Sequence, residues 1–239
     1  MALVYLIRHG QASFGSEDYD CLSELGHRQA GLLGAHMKYN RAACDVLISG
    51  SLLRQRATAE GMRDAIGPAA PALVVNEAFD EYDHAGLIRA YLPRFMAEVG
   101  TPRGLGEQEL FADHKLFELA FRFMIKCWMD NGAHDCKPLE TWREFGNRVS
   151  MGLSGVLSDY GPKARVWIVT SGGTIAAALR VVLGLSNRRT LSLNWSIYNA
   201  SVSQLYYGRS RKHEDALLMG FNNVSHLEQS GGRELVTFR

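Results

Sequence analysis

No uninterrupted apolar run in this sequence approaches the roughly 20 residues that a membrane-spanning helix needs, and no secretory signal opens it. A helical membrane protein is therefore not expected. Neither sign of charge prevails. Twenty-six basic residues stand against 25 acidic ones, for a net charge of +1, so no broad field draws the chain to nucleic acid or to a lipid surface. Cysteine is scarce. Cys21, Cys44, Cys127 and Cys136 form no C-x-x-C pair, which reads as reduced cytosolic thiols rather than a disulfide frame. Internal repeats, low-complexity tracts and coiled-coil heptads are also missing, which excludes solenoids and fibres.

What is present is 239 residues with 46% apolar content, enough for one large domain or two small ones. The first ten residues organise the rest. Ala2 to Ile7 is a short apolar run containing Val4, Tyr5 and Ile7, the pattern of a central strand covered on both faces. Arg8, His9 and Gly10 follow where that strand runs out. In open α/β sheets, ligands bind outside the carboxyl ends of strands. Arginine grips phosphate oxygens with a planar fork of donors, and neutral histidine can attack phosphorus. Phosphate chemistry is the reading this tip suggests. A nucleophile this close to the start would be lost with a cleaved presequence, so a cytoplasmic protein that keeps its N-terminus is expected.

The downstream chain supplies further candidates. Residues 11–20 are a polar loop that puts Gln11 and Ser13 near His9. A helix is expected from Ser23, its N-cap, with Leu25, Leu32, Leu33 and His36 near one face. Strands are expected at Asp45 to Ser49 and Leu73 to Val75. Between them, Arg54 lies one turn into a helix whose N-terminus could hold an anion. The segment from Asn76 to His84 carries Glu77, Asp80, Glu81 and Asp83, and a carboxyl there could protonate a departing alkoxide. Residues 84–140 read as an inserted, largely helical segment. Its Phe111, Phe117, Phe121, Phe123 and Trp128 are expected to be packing residues, and its Pro93 sits inside a helix. His134, Asp135 and Cys136 are too close together to surround zinc unaided, so no metal is expected. Leu139 to Tyr160 is another helix. Its Gly152 to Gly155 stretch is not the serine-hydrolase G-x-S-x-G, because Val156 follows. Arg165 to Thr170 is a strand that leads through Ser171, Gly172 and Gly173 into a helix from Ile175, a second anion cradle. The second half of Tyr198 to Tyr207 alternates like a strand. Gly208 to His213 is a basic turn expected to be solvated, and closing strands are expected at Asp215 to Phe221 and Glu234 to Phe238.

Arg8-His9-Gly10, the run from Leu22-Ser23 through Gly26 to Gln29-Ala30, the run from Ser49 through Leu52 to Arg54, Thr58-Ala59, and Val169 through Gly172-Gly173-Thr174 occur in an order that resembles the histidine phosphatase superfamily, the phosphoglycerate mutase-like fold. The resemblance spans nearly the whole chain. It implies a three-layer α/β/α fold, with a mostly parallel central sheet, helices on both faces and a cap insertion at about 84–140 within one domain, 1–239. It implies catalysis without metal or other cofactor. His9 matches the nucleophile, and Arg8 and Arg54 match the phosphate-binding arginines. Glu81 matches the general acid better than Glu77. Gln11, Ser13, Ser171 and Gly172 would complete the phosphate cradle.

Two departures qualify the expectation. Family members usually carry a second histidine where this chain has Ser171. Losing one preorganised donor costs about 3–4 kcal/mol of transition-state stabilisation. A serine recovers part of that, so turnover reduced by about 10- to 1000-fold is expected. His84 is a candidate substitute. After Gly10, Ala12 and Gly15 take slots usually held by Thr and Asn, and Ser13-Phe14-Gly15 replaces the Trp-Asn of the mutase branch, which argues against a glycolytic mutase. The expected activity is phosphomonoester hydrolysis on a small phosphorylated substrate or phosphopeptide. The alternatives are a phosphate-binding protein that has lost catalysis and, further off, a mutase-type phosphotransferase or a serine hydrolase. Neither the substrate nor the oligomeric state can be read from the residues.

Overall fold

The computed structural model describes residues 1–13, 20–100, 106–130, 139–210 and 212–238. The zinc candidates His134, Asp135 and Cys136, and Phe14 and Gly15 of the mutase comparison, lie outside the described residues. The chain divides into two compact units, Met1–Glu81 with Arg148–Arg239, and Tyr82–Asn147.

The larger unit is built on a six-stranded sheet in the order β3-β2-β4-β1-β5-β6. Strands β1 (Ala2–Arg8), β2 (Val46–Ser49), β3 (Leu73–Val75) and β4 (Arg165–Thr170) run parallel. Strand β5 (Val202–Tyr207) runs antiparallel between β1 and β6 (Leu217–Asn223). β1 is thus an interior strand, and its Arg8 is in register with Thr170 of β4. The two strand tips open side by side.

Helices α1 (Glu24–Tyr39) and α2 (Leu53–Ile66) pack together and cover one face of the sheet. Leu33, Met37, Ala59 and Met62 meet Ile7, Leu47, Trp167 and Val169 there. Side chains alternate along a strand, so Val4 and Leu6, also buried, serve the opposite face. Ser23 caps α1 by accepting from the Gly26 N–H. The helix splits its leucines: Leu33 joins the sheet core, whereas Leu25 and Leu32 pack with Ala200, Val224, Leu227 and Leu235. At its last turn, His36 faces His226, with ring centroids 5.8 Å apart. Burial pushes the His226 pKa down to about 4, helped by the neighbouring His36.

Several boundaries differ from expectation for visible reasons. Three residues earlier than the apolar run suggests, α7 (Gly172–Leu183) begins, because its first turn is made of glycine and threonine. No strand forms at Glu234 to Phe238. A 3₁₀ turn, Gly232–Leu235, and an extended tail take its place, and the tail's polar groups meet the Gln29 side chain and the Asn199 backbone N–H. The basic turn is not merely solvated. His213 lies 3.2 Å from the Tyr207 hydroxyl through Nδ1, and 2.9 Å from Ser154 Oγ and 3.1 Å from the Ser150 carbonyl through Nε2. A carbonyl only accepts, so Nε2 carries the proton. His213 therefore donates toward Ser154 and Ser150 and is no base for Ser154.

The smaller unit packs α3 (His84–Glu98), with Pro93 inside it, and the short α4 (Glu107–Ala112) against α5 (His114–Asp130). Asp83 caps α3. Trp128 lies 5.0 Å from Tyr82, 5.2 Å from Trp142 and 5.7 Å from Phe145, centroid to centroid, and donates its indole N–H to the Glu140 carbonyl. Phe121 stacks on Phe117 and His84. These rings are packing residues, as expected, though Phe111 is half exposed. The third long helix, α6 (Trp142–Tyr160), begins in this unit and ends in the larger one. No helix among the described residues is long and apolar enough to cross a membrane.

Candidate active site

His9 sits just beyond the tip of β1 and is buried. Its backbone is fixed on two sides. Its N–H donates to the Thr170 carbonyl at the end of β4, and its carbonyl accepts from the Ala200 N–H and from Asn199 Nδ2. Ala200 adopts φ +54°, a conformation unusual for a residue other than glycine. The ring is oriented by two contacts. Nδ1 lies 2.6 Å from the Gly10 carbonyl, which can only accept, so Nδ1 carries the proton. Nε2 lies 3.2 Å from Arg54 Nε, which can only donate. Both partners select the neutral tautomer with its lone pair on Nε2. Gly10 is required here, because an added Cβ would overlap the Gly26 carbonyl of α1.

Arg54 projects from the first turn of α2. The N-cap of α2 is Leu52, which has no polar side chain to cap with. Asp20 supplies the need from a distant loop: its Oδ2 accepts from the Leu53 N–H at 2.8 Å, and its Oδ1 pairs with Arg54 Nη1. Nothing in the sequence marks Asp20 out from its acidic neighbours Glu17 and Asp18. On the same helix, Thr58 accepts from the Gly10 N–H and donates to the Arg54 carbonyl. The histidine loop and the arginine are thereby stitched together.

The end of β4 forms the other wall. Ser171 is the N-cap of α7 and is fully buried, yet its hydroxyl makes no capping bond. Instead Ser171 Oγ lies 2.8 Å from Gln55 Nε2. Glu81 Oε2 accepts from the Gly173 N–H at 2.8 Å. Arg8 donates to the Ile197 carbonyl and lies beside Gly172, where an added Cβ would sit 3.7 Å from Arg8 Nε. Arg148 secures the loop that carries Glu81 by donating to the carbonyls of Glu77, Ala78 and Asp80.

The four carboxylates of that loop have four different surroundings. Asp80 is held by the backbone and hydroxyl of Ser51, Asp83 caps α3, and Glu77 lines a surface groove with Val75, Val156 and Asp159. Only Glu81 reaches the α7 N-terminus. Gln11 accepts from the Ser23 hydroxyl through Oε1, and Ser13 is anchored by its N–H on the Cys21 carbonyl. The ring of His84 lies against Tyr82 and Phe121. Behind the histidine loop, Gln29 accepts from the Gln11 N–H and donates to Leu235 and Thr237. Thr237 in turn donates to Asn199. Among the described residues, no three His, Cys, Asp or Glu side chains gather as metal ligands.

The family model for the histidine phosphatase superfamily (branch 1) matches residues 4–96 and 103–218. The chain belongs to that superfamily. Among solved structures it resembles a histidine-to-alanine variant of phosphoserine phosphatase from Entamoeba histolytica in complex with phosphoserine, at 18% identity and TM-score 0.63, over 95% of this chain and 100% of that one. It also resembles mycobacterial glucosyl-3-phosphoglycerate phosphatase in complex with VO3, at 22% identity and TM-score 0.63, over 93% and 99%. A third likeness is to YhfR of Bacillus stearothermophilus, at 19% identity and TM-score 0.65, over 95% and 99%. At these identities the superfamily likeness concerns the fold. No curated protein matches the chain significantly.

Proposed function

We propose that the protein is a cytoplasmic, metal-independent phosphomonoester hydrolase that works through a phosphohistidine on His9. The observation that carries this reading is the His9 ring, held neutral with its Nε2 lone pair facing a guanidinium. When a phosphomonoester enters, the Arg54 donors pass from Nε2 to phosphoryl oxygens, and Arg8 neutralises the charge from the α7 side. Nε2 attacks phosphorus, the P–O bond to the leaving group breaks, and Glu81 gives its proton to the departing alkoxide. Glu81 then takes a proton from water, the water oxygen attacks phosphorus, and the P–N bond breaks to release inorganic phosphate. Ser171, the α7 amide of Gly172, Gln11 and Ser13 complete the cradle.

Turnover is slow, because a neutral hydroxyl stands at position 171. The substrates are small phosphorylated metabolites or phosphopeptides. Phosphoserine in one solved relative supports this class. The test is a panel of phosphorylated metabolites assayed with chelator present, on wild-type protein and on His9→Ala. Hydrolysis that survives chelation and is lost in His9→Ala is expected. Unchanged turnover in His9→Ala refutes the reading.

Ser171 itself favours a second reading, a phosphate-ligand binding protein without catalysis. Calorimetric phosphate binding with no turnover across the panel would select it. A strong rise in turnover on installing Ser171→His together with Gln55→Ala, which clears the space that the Gln55 amide occupies, would identify position 171 as the slot of the missing histidine.

A further inference from the structure

Gln55 lies on the buried side of α2 and is fully inaccessible, and Ser171 is 1% exposed. Its amide nitrogen is 3.2 Å from the Phe79 carbonyl and 2.8 Å from Ser171 Oγ. A carbonyl only accepts, so the atom that faces Phe79 is the NH2 group. That same group donates to the Ser171 oxygen. The amide oxygen, pressed against Gly50, has no partner among the described residues. An orphaned buried oxygen is disfavoured, so the two acceptors of the nitrogen hold the amide in this orientation. The consequence falls on Ser171. Its oxygen is committed as an acceptor, and its own proton points away from Gln55. Among the described residues nothing accepts that proton, and the α7 backbone receives no cap from it. The Thr170 carbonyl at the end of β4 accepts from the His9 N–H, so Ser171 is the residue next in the chain to the backbone partner of His9.

We propose that Gln55 is a positioning residue that makes Ser171 an obligate hydrogen-bond donor to the phosphoryl group. The amide and the hydroxyl together fill the place of a second histidine. This rests on reading the cleft as a phosphoryl site, but its test does not require turnover. Inorganic phosphate binding is measured by calorimetry on wild-type protein, Ser171→Ala, Gln55→Leu and the double variant, with Gln55→Met as a second volume-conserving change. The same set is assayed for kcat and KM on p-nitrophenyl phosphate. Loss of one neutral hydrogen bond weakens phosphate binding by about 10-fold in Ser171→Ala. A similar loss is expected in Gln55→Leu or Gln55→Met, and less than about 2-fold further loss when either is added to Ser171→Ala. Independent, multiplying losses overturn the proposal, since they mark Gln55 as a packing residue. Undiminished phosphate binding in Ser171→Ala overturns it even where neither Gln55 variant folds. A His9→Ala protein that still hydrolyses the ester refutes the phosphohistidine pathway and leaves the binding cycle to judge Gln55 by itself.

Discussion

The two strand-to-helix junctions of the site are built alike and equipped differently. At each, a parallel strand ends, a short turn follows, and a helix begins. Neither helix is capped by its own N-cap side chain. Asp20 accepts the Leu53 N–H of α2, and Glu81 accepts the Gly173 N–H of α7. Both junctions therefore use their free amide groups to hold carboxyl groups brought from elsewhere in the chain. The difference lies in the side chains. The α2 junction contributes the guanidinium of Arg54, buried and matched by a carboxylate. The α7 helix contributes a hydroxyl and glycine amides, with Arg8 of β1 alongside. A guanidinium stands on each side of the histidine, Arg54 at α2 and Arg8 beside α7, and the directional neutral donors are concentrated on the α7 side.

If that division is real, its two sides must respond unequally. Arg54→Ala is expected to lower kcat/KM on a phosphomonoester by about 10³-fold, against the roughly 10-fold loss assigned above to a neutral donor. Steady-state kinetics of Arg54→Ala and Ser171→Ala decide it, and equal losses would erase the contrast. The comparison also needs a pH window in which the fold does not titrate. His226 defines its lower edge. Its pKa is pushed down to about 4 in the folded protein by desolvation first and His36 second, against about 6.5 when unfolded. Below pH 6.5 the unfolded chain binds the proton and the folded one does not, so stability falls as pH drops toward 4. The loss is on the order of 3 kcal/mol. Urea denaturation from pH 7 to pH 4 measures it, and His226→Asn removes that slope. The smallest effect belongs to the cap. Asp20→Ala is expected to destabilise the fold by about 1 kcal/mol, seen as a lower urea midpoint with unchanged m-value. An unmoved midpoint would mean that water replaces Asp20 equally well at both the Leu53 N–H and the Arg54 guanidinium.

How far the residues alone reach depends on whether a position obeys a local rule. Strands β1 and β4, the Ser23 cap and the Arg-His-Gly tip do, because apolar runs, cap residues and strand ends are local patterns. Asp20 does not. It is one acid of several in a polar loop, and only the fold brings it to α2. Gln55 left a trace that local reading can use. It shares the buried stripe of Thr58, Ala59 and Met62, so a polar residue at that spacing signals a buried amide in need of partners. The tail after Leu235 misled as a strand because its β-forming residues are real, but its polar groups meet Gln29 and Asn199 rather than a neighbouring strand. Glu77 and Glu81 belong to one acidic loop in the sequence, and in the fold Glu81 is the one of the two whose carboxyl accepts from the α7 N-terminus.

The most direct examination of His9 is a rapid quench. Wild-type protein turning over a phosphomonoester labelled in its phosphoryl group is stopped in alkaline denaturant at times shorter than one turnover, and the protein is assayed for bound label. The pathway described here predicts label that survives base, is released by acid, and is absent from His9→Ala. Equal label on His9→Ala, or unchanged hydrolysis by His9→Ala, would contradict it.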